Sequence, residues 1–318
     1  MKLITFTRPG SDIEEVGVLT DGLVSPLRAL GFSYPSMNAL ICRSDKRELA
    51  QIVERAALAV AAAKAPILTD PPEWWPIELN MEQATACIPL DEVELCSPIP
   101  RPLQDVLCLG LNYRDHAAEA KGFSQSAFGV ELAAPIFFSK RVGRSQGSGA
   151  PIPAHQDLTQ QLDFENELAV IIGRDAENVP EEDVADYIFG YTICNDVSAR
   201  EVQTRHKQWY FGKSLEGFCP MGPCIVTADE IPFPPKLRIS TTLNGVLRQD
   251  SDTGCLIHSI AEIVSTLSRG MVLRAGTIIA TGTPKGVLMG DAQPRFLRHG
   301  DVVVCSIEGI GDLVNTVD

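Results

Sequence analysis

The sequence lacks an apolar run near the roughly 20 residues that a membrane-spanning helix requires. It has fewer basic than acidic residues: 27 Lys and Arg against 41 Asp and Glu give a formal net charge of −14. A surface this acidic repels the phosphates of nucleic acids and of anionic membranes, so we expect neither as a partner. The short apolar start soon meets Arg8, Pro9 and Gly10, which is unlike a signal peptide. We therefore expect a cytoplasmic protein.

The cysteines lack a pairing pattern. There are nine, an odd number, and no two of them have CxxC spacing. Cys108, Cys194 and Cys305 lie in apolar runs, where a reduced thiol behaves as a small apolar side chain. This favours free thiols in a reducing compartment over a disulfide framework.

What is present suffices for a sizeable core, with 45% apolar and 21% charged residues. Residues 1–30 alternate short apolar runs with turn residues, which predicts a small antiparallel meander. Residues 46–64 have apolar positions at helical spacing, and Asp45 with Glu48 can form a capping box. A proline cluster at 98–102 marks a candidate boundary. We therefore predict a small α+β domain at residues 1–98 and a larger domain at residues 99–318.

The larger domain is predicted to be rich in strands. A hairpin is expected at Asn244-Gly245, and a turn at residues 219–223. Its short apolar runs predict strands at 106–109, 136–138, 168–172, 191–194, 237–243, 277–280 and 302–307. Its helices are expected near 181–188, 197–207 and 257–267. The predicted fold class is α+β, mostly β.

An acidic segment comes directly before one of these apolar runs. On a strand, alternate residues share a face, so Asp163, Glu165 and Glu167 should point the same way. Carboxylates packed this closely repel each other unless a cation lies among them. An all-oxygen ligand set suits Mg²⁺ or Mn²⁺ better than zinc. In a chain this acidic, a solvated acidic edge is the simpler interpretation of the segment alone.

Five further residues carry candidate chemistry, and each has a simpler alternative. Asp196 follows a strand and precedes a helix, where it can be a ligand or a helix N-cap. His116 and Glu119 have i, i+3 spacing and can form a base that activates water, or an ordinary surface pair. Lys213 can stabilise an enolate or simply face solvent. Thr283 lies in a glycine-containing loop that can approach a ligand or be only a turn.

Taken in order, these segments resemble the fumarylacetoacetate hydrolase family. The resemblance runs from about Ile99 to Val317. It is carried by GLNYRDHAAE, DFENELAVIIG, FGYTICNDVSARE, GKSLEGFCPMGP, SRGMVLRAGTIIATGTPKGV and HGDVVVCSIEGIG. It implies a mixed β-sandwich roll, a homodimer and a small keto-acid substrate.

The resemblance also implies roles for individual residues. It implies a site for Mg²⁺ or Mn²⁺ with the carboxylates of Glu165, Glu167 and Asp196 as ligands. It implies that His116 and Glu119 form the water-activating pair and lie on a lid segment that orders over the substrate.

For the substrate, the resemblance implies that Lys213 faces the bound molecule and that Thr283 helps to hold it. Arg200 and Gln203 fall where some family members contact substrate. Asp163 falls at a position usually assigned to structure, so we leave it out of the ligand set.

Several reactions fit such a site. A chelated α-keto acid has a polarised ketone, and the ion stabilises the enolate left by C–C cleavage. Our first hypothesis is therefore hydrolysis of a 2,4-diketo acid of the acylpyruvate or fumarylpyruvate type. The alternative is decarboxylation or tautomerisation of oxaloacetate. Further alternatives are an isomerase or hydratase of aromatic ring-cleavage products and a non-catalytic metal-binding protein. The ligands do not separate these outcomes, so the pocket wall and the lid must.

Overall fold

The computed structural model of this protein describes residues 1–64, 87–119 and 134–318. The helices are α1 (Met37–Arg43), α2 (Lys46–Lys64), α3 (Arg114–Glu119), α4 (Arg200–Arg205), α5 (Tyr210–Lys213) and α6 (Ile260–Gly270). The strands are β1 (Lys2–Thr7), β2 (Glu15–Thr20), β3 (Leu23–Pro26), β4 (Ile88–Pro89), β5 (Glu94–Leu95), β6 (Val106–Gly110), β7 (Ile136–Lys140), β8 (Leu162–Asp163), β9 (Asn166–Ile172), β10 (Ile188–Asn195), β11 (Ser198–Ala199), β12 (Met221–Thr227), β13 (Arg238–Leu243), β14 (Val246–Asp252), β15 (Ile278–Ala280), β16 (Val302–Ile307) and β17 (Gly311–Thr316). Across these three ranges, no helix has the length and apolar character needed to cross a membrane.

Two main sheets organise the part of the chain that the structure describes. Eleven strands form the large sheet in the order β4-β3-β2-β1-β12-β10-β9-β15-β6-β7, and β5 pairs with β1. The pair β15–β6 is parallel. The second sheet has four strands in the order β14-β13-β16-β17, and β8 pairs separately with β11. The protein is thus mixed and mostly β, as the sequence predicts.

The large sheet is covered on both faces at its central strand β9. All residues of β9 are buried, as expected for a continuous apolar run with a covered sheet on either side. Alternate residues face opposite layers. Leu168 and Val170 share a core cluster with the second sheet, whereas Ala169 and Ile171 share another with helices α1 and α2. The core therefore lies on both sides of the strand that follows the acidic segment.

The N-terminal meander is part of this same sheet. Strand β1 pairs antiparallel with β12, with Lys2 opposite Val226 and Leu3 opposite Ile225. The large sheet thus continues across residue 98. Our domain boundary at that residue remains a prediction.

Most predicted elements are present. Helix α2 covers the predicted residues 46–64, and the backbone N–H of Glu48 donates to Asp45 Oδ1 at 2.7 Å. Asn244 and Gly245 have φ angles of 52° and 79°, as a tight hairpin turn requires.

The predicted turn at residues 219–223 is wrong, because residues from Met221 onward form strand β12. Pro223 suggested a turn because it has no N–H for a sheet ladder. The pairing of β10 with β12 shifts register between Tyr191 and Ile193, opposite this segment. Proline is tolerated within a paired strand where the hydrogen-bond ladder is irregular in this way.

Three predicted helices differ in extent or type. Helix α4 begins only at Arg200, because residues 198–199 pair with β8 as strand β11. Helix α6 begins at Ile260, because Ser259 accepts a hydrogen bond from the Glu262 N–H and caps the helix. Residues 181–187 form a 3-10 helix.

Candidate metal centre and active site

The three predicted metal carboxylates lie together at the ends of two neighbouring strands. Oxygens of Glu165, Glu167 and Asp196 lie within 4.8 Å of one another, and all three residues are buried. The register of β9 and β10 places Cys194 opposite Glu167. The backbone N–H of Asp196 donates to the Glu165 carbonyl at 2.8 Å. Antiparallel pairing thus brings together residues that are 31 positions or fewer apart in the chain.

Asp163 lies outside this group. The single strand from which we predicted a shared face with Glu165 and Glu167 is interrupted, because β8 ends at Asp163 and β9 begins only at Asn166. The Asp163 carboxylate instead accepts from Arg200 and from the backbone N–H of Leu288, both at 2.9 Å. It ties three chain segments together.

Cations balance most of the buried negative charge. Glu165 is paired on both oxygens, with Arg200 Nη1 at 2.6 Å and Lys213 Nζ at 2.7 Å. Lys213 also pairs with Asp196 Oδ2 at 2.7 Å. Burial alone would raise the pKa of Glu165, but Lys213 and Arg200 outweigh it and hold that pKa at about 2. Glu165 therefore stays ionised.

Lys140, which we did not predict, occupies the other oxygen of Asp196. Its Nζ lies 2.5 Å from Asp196 Oδ1 and also contacts the carbonyls of Val197 and Phe218. The side chain is fully buried. Burial alone would lower the pKa of Lys140, but Asp196 outweighs it and raises that pKa. Little in the sequence indicated this role: Lys140 stands two residues after Phe138, an apolar position of a predicted strand.

Among the three carboxylates, Glu167 is the one whose negative charge has no ion-pair partner in the described residues. Its Oε2 accepts from the Gly282 N–H at 2.8 Å, but its buried Oε1 has no hydrogen-bond partner among the described residues. Burial raises the pKa of Glu167 well above its usual value, and the nearby charges of Asp196 and Glu165 raise it further. An unpartnered carboxylate oxygen beside two other carboxylates fits a hard divalent cation, which prefers oxygen ligands.

The predicted His–Glu pair is formed on helix α3. His116 Nδ1 and Glu119 Oε2 are 2.9 Å apart. Glu119 Oε1 accepts from the Gly286 N–H at 3.1 Å, which fixes the carboxylate against the threonine loop. His116 is buried and lines the same cleft as Glu165 and Lys213. Residues 120–133, the rest of the expected lid, lie outside the described residues.

The predicted substrate contacts also reach this cleft. Arg200, Gln203 and Thr283 are all buried and line it. Arg200 Nη1 also donates to Gln203 Oε1 at 3.1 Å. The Thr283 hydroxyl donates to the Asn166 carbonyl at 2.9 Å and accepts from Gln249 at 2.8 Å.

An aromatic wall, which we did not predict, faces these polar groups. The rings of Phe138 and Trp209 meet edge to face, with centroids 5.3 Å apart. Lys213 Nζ lies 5.2 Å from the Phe138 centroid. Leu109, Gly110 and other apolar positions complete this side of the cleft. The site therefore combines buried carboxylates, cations, a His–Glu pair and an apolar wall.

Comparison with known proteins bears on what such a site does. Residues 105–318 match the family described as fumarylacetoacetate (FAA) hydrolase, C-terminal. An oxaloacetate tautomerase (YisK) of Bacillus subtilis (strain 168) is 44% identical over 246 residues, which cover 76% of this chain and 79% of that protein.

Two solved structures extend the similarity over the whole chain. A fumarylacetoacetate hydrolase from psychrophilic Exiguobacterium antarcticum has a TM-score of 0.75 at 35% identity, covering 100% of this chain and 99% of that one. A maleylpyruvate hydrolase from Sphingobium sp. SYK-6, in complex with manganese(II) and pyruvate, has a TM-score of 0.72 at 28% identity, with coverage of 100% and 98%.

Proposed function

Because this chain belongs to the fumarylacetoacetate hydrolase family, we propose that it is a metal-dependent enzyme that interconverts the enol and keto forms of oxaloacetate. The family contains hydrolases, isomerases and a tautomerase, so the fold alone does not select the reaction. The relative at 44% identity is named an oxaloacetate tautomerase, whereas the hydrolases compared above are 35% and 28% identical. This ordering favours our alternative over our first hypothesis, hydrolysis of a diketo acid.

The observation that carries the proposal is the His116–Glu119 pair at 2.9 Å in the same cleft as the buried cations. Tautomerisation moves one proton between the enol oxygen on C2 and carbon C3. It therefore needs a group that holds a proton beside the substrate, and it consumes no water. His116 can take up and return that proton, and Glu119 orients the ring.

The proposed metal ligands are Glu165, Glu167 and Asp196, with Mg²⁺ or Mn²⁺ as the ion. When bound, the ion would supply positive charge against the carboxylate and 2-oxo oxygens of the substrate. Lys213 adds positive charge at the base of the cleft, where the substrate becomes more negative as the C3 proton leaves. We propose that Arg200, Gln203 and Thr283 orient the substrate.

Hydrolysis of an acylpyruvate-type acid is the second candidate. The His–Glu pair that moves a proton at C3 can equally take a proton from water. The maleylpyruvate hydrolase neighbour, bound to manganese(II) and pyruvate, supports this candidate.

The test supplies the protein with Mg²⁺ or Mn²⁺ and offers enol-oxaloacetate, keto-oxaloacetate and acetylpyruvate in separate assays. We expect fast loss of the enol absorbance, little CO₂ release and slower cleavage of acetylpyruvate. His116→Asn should reduce tautomerisation at least about a hundredfold, the lower end for general acid–base catalysis. Rapid CO₂ release, or cleavage of acetylpyruvate faster than tautomerisation, would contradict the assignment.

A matched control exists in the same chain. His258 and Glu262 form a second His–Glu pair at 2.9 Å, and neither residue lines the cleft. His258→Asn removes an imidazole of the same kind, so it should leave tautomerisation unchanged. An equal loss in both variants would point to folding instead of catalysis.

Three further expectations, on oligomeric state, location and partner, remain proposals. We propose a homodimer in the cytoplasm, with a small keto acid as the partner. Light scattering on the purified protein measures its mass against the 34.5 kDa of one chain.

A further inference from the structure

We infer that Trp209 limits the length of the substrate, so that the enzyme accepts short 2-oxo acids and rejects longer ones. This inference rests on the proposed function, because it names what selects among the substrates of that same cleft. The relatives named above carry out different reactions on one fold, so we look for the selecting residues in the wall of the cleft. Trp209 is the largest side chain lining the cleft.

Trp209 is held in fixed relation to the base of the cleft. It immediately precedes helix α5, and its carbonyl accepts from the backbone N–H of Lys213 at 3.1 Å. The Phe138 ring lies near both residues, with Lys213 Nζ 5.2 Å and the Trp209 ring centroid 5.3 Å from its centroid. Lys213 and Trp209 line the same cleft. A substrate held at Lys213 therefore shares this cleft with the indole, which limits how far the substrate chain can extend.

Gly110 provides independent evidence that the indole is closely packed. A Cβ atom at Gly110 would lie 2.2 Å from Trp209 Cζ3 and 2.7 Å from Cη2. Gly110 is in strand β6 and does not have a positive φ. Glycine is therefore required for the space that the indole occupies and not for a special backbone conformation. A larger residue at this position would displace the indole from the cleft wall.

The test compares 2-oxo acids of increasing chain length. NMR measures the enolisation of each acid as exchange of its C3 hydrogens with deuterated solvent. The buffer contains Mg²⁺ and no Mn²⁺. Inhibition constants of the same acids measure binding alone. In Trp209→Ala, the preference for a four-carbon acid over one with two more carbons should fall at least about tenfold, the scale of methylene discrimination in apolar pockets. The matched control is Phe211→Ala, since Phe211 is two residues further on in helix α5 but is 46% exposed and outside the cleft.

A double-mutant cycle with Gly110→Ala and Trp209→Ala separates an effect of the indole on substrate length from a general loss of folding or activity. Gly110→Ala alone should lower the length preference, because its methyl group displaces the indole. In the Trp209→Ala background the same change should have little effect, because the atoms it would strike are gone. The inference is overturned if Trp209→Ala keeps the wild-type preference, or if Gly110→Ala has equal effects in both backgrounds.

Failure of this inference is distinguishable from failure of the proposed function. If the wild-type protein cleaves acetylpyruvate but does not act on oxaloacetate, the proposed function fails. The inhibition constants of the 2-oxo acid series then still test whether Trp209 limits the length of the acid that binds. If oxaloacetate is converted and the Trp209 and Phe211 variants have the same length preference, only the inference fails.

Discussion

Asp196 has a lysine on each of its two carboxylate oxygens. Lys213 lines the cleft, whereas Lys140 contacts Asp196 and two backbone carbonyls and is fully buried. Because Lys140 is fully buried among these partners and does not line the cleft, it positions Asp196 and does not contact the substrate. Its role is structural support of a proposed ligand.

Lys140→Met should strongly destabilise the protein. Methionine preserves the length of the side chain but leaves Asp196 buried with one fewer counter-charge. Breaking a buried ion pair in this way lowers the free energy of unfolding by about 3–5 kcal/mol. Denaturant unfolding followed by circular dichroism measures the change.

The control for this prediction is Lys46→Met. Lys46 is 94% exposed and lies 3.7 Å from Asp186, so its pair is solvated. The change should alter the free energy of unfolding by no more than about 0.5 kcal/mol. Similar effects at Lys140 and Lys46 would contradict the assigned role of the buried pair.

Glu167→Gln should separate stability from metal binding. The neutral amide keeps an acceptor for the Gly282 N–H and removes repulsion with Asp196 and Glu165. In chelator, the thermal midpoint should therefore be unchanged or higher than in the wild-type protein. Calorimetry should show Mn²⁺ affinity reduced at least about tenfold, as expected when one charged ligand is lost.

The matching control for metal binding is Glu201→Gln. Glu201 accepts hydrogen bonds from Thr159 and Gln160 and lies outside the carboxylate group. Its replacement should leave Mn²⁺ affinity unchanged. Wild-type affinity in Glu167→Gln would remove Glu167 from the ligand set.

Among individual residues, the sequence predicted those site residues whose partners are close in the chain. His116 and Glu119 are one helical turn apart, and Glu165 and Glu167 are two residues apart. Lys140 and Trp209 were missed because their partners, Asp196 and Gly110, are distant in the chain. Their contacts arise only when the strands of the large sheet are assembled.

Among the secondary-structure elements, the β13–β14 hairpin allows a clean test of backbone conformation. Gly245 has a φ of 79°, and a Cβ there would meet no heavy atom within 4 Å. Gly245→Ala should therefore destabilise the protein only through the left-handed conformation, by about 1–2 kcal/mol. Equilibrium unfolding in urea measures this, and tautomerisation should be unaffected.

Gly270, the last residue of helix α6, is the matched control. A Cβ there would also meet no heavy atom within 4 Å, but its φ is not positive. Gly270→Ala should stabilise the protein, by up to about 1 kcal/mol, because alanine is favoured over glycine in a helix. If both substitutions destabilise equally, the φ argument fails.

The elements predicted best are those with a complete local signal. The Asn244-Gly245 hairpin and helix α2 have their turn or cap residues within a few positions. Strand β12 was missed because its Pro223 indicates a turn, and only pairing with β1 and β10 makes it a central strand. Local propensity is overridden there by the sheet on either side.

At the scale of the whole molecule, the large sheet joins the two parts of the chain that the sequence suggests are separate domains. A proline cluster indicates a linker, but it does not reveal which strands pair across it. Residues of β1 and β2, including Leu3 and Val18, share one apolar cluster with Ala169 and Ile171 of β9. That cluster would be opened if the first part of the chain were removed.

A chain that contains only residues 99–318 should therefore fail to fold on its own. Its β12 would become an exposed edge with unpaired backbone groups, and the apolar face under helices α1 and α2 would be in contact with water. We expect aggregation on expression, whereas co-expression with residues 1–98 should restore a complex that binds Mn²⁺. Size-exclusion chromatography with light scattering measures both outcomes. A monodisperse 99–318 fragment with cooperative unfolding would instead establish residue 98 as a true domain boundary, and the meander would then be an addition to a self-sufficient catalytic domain.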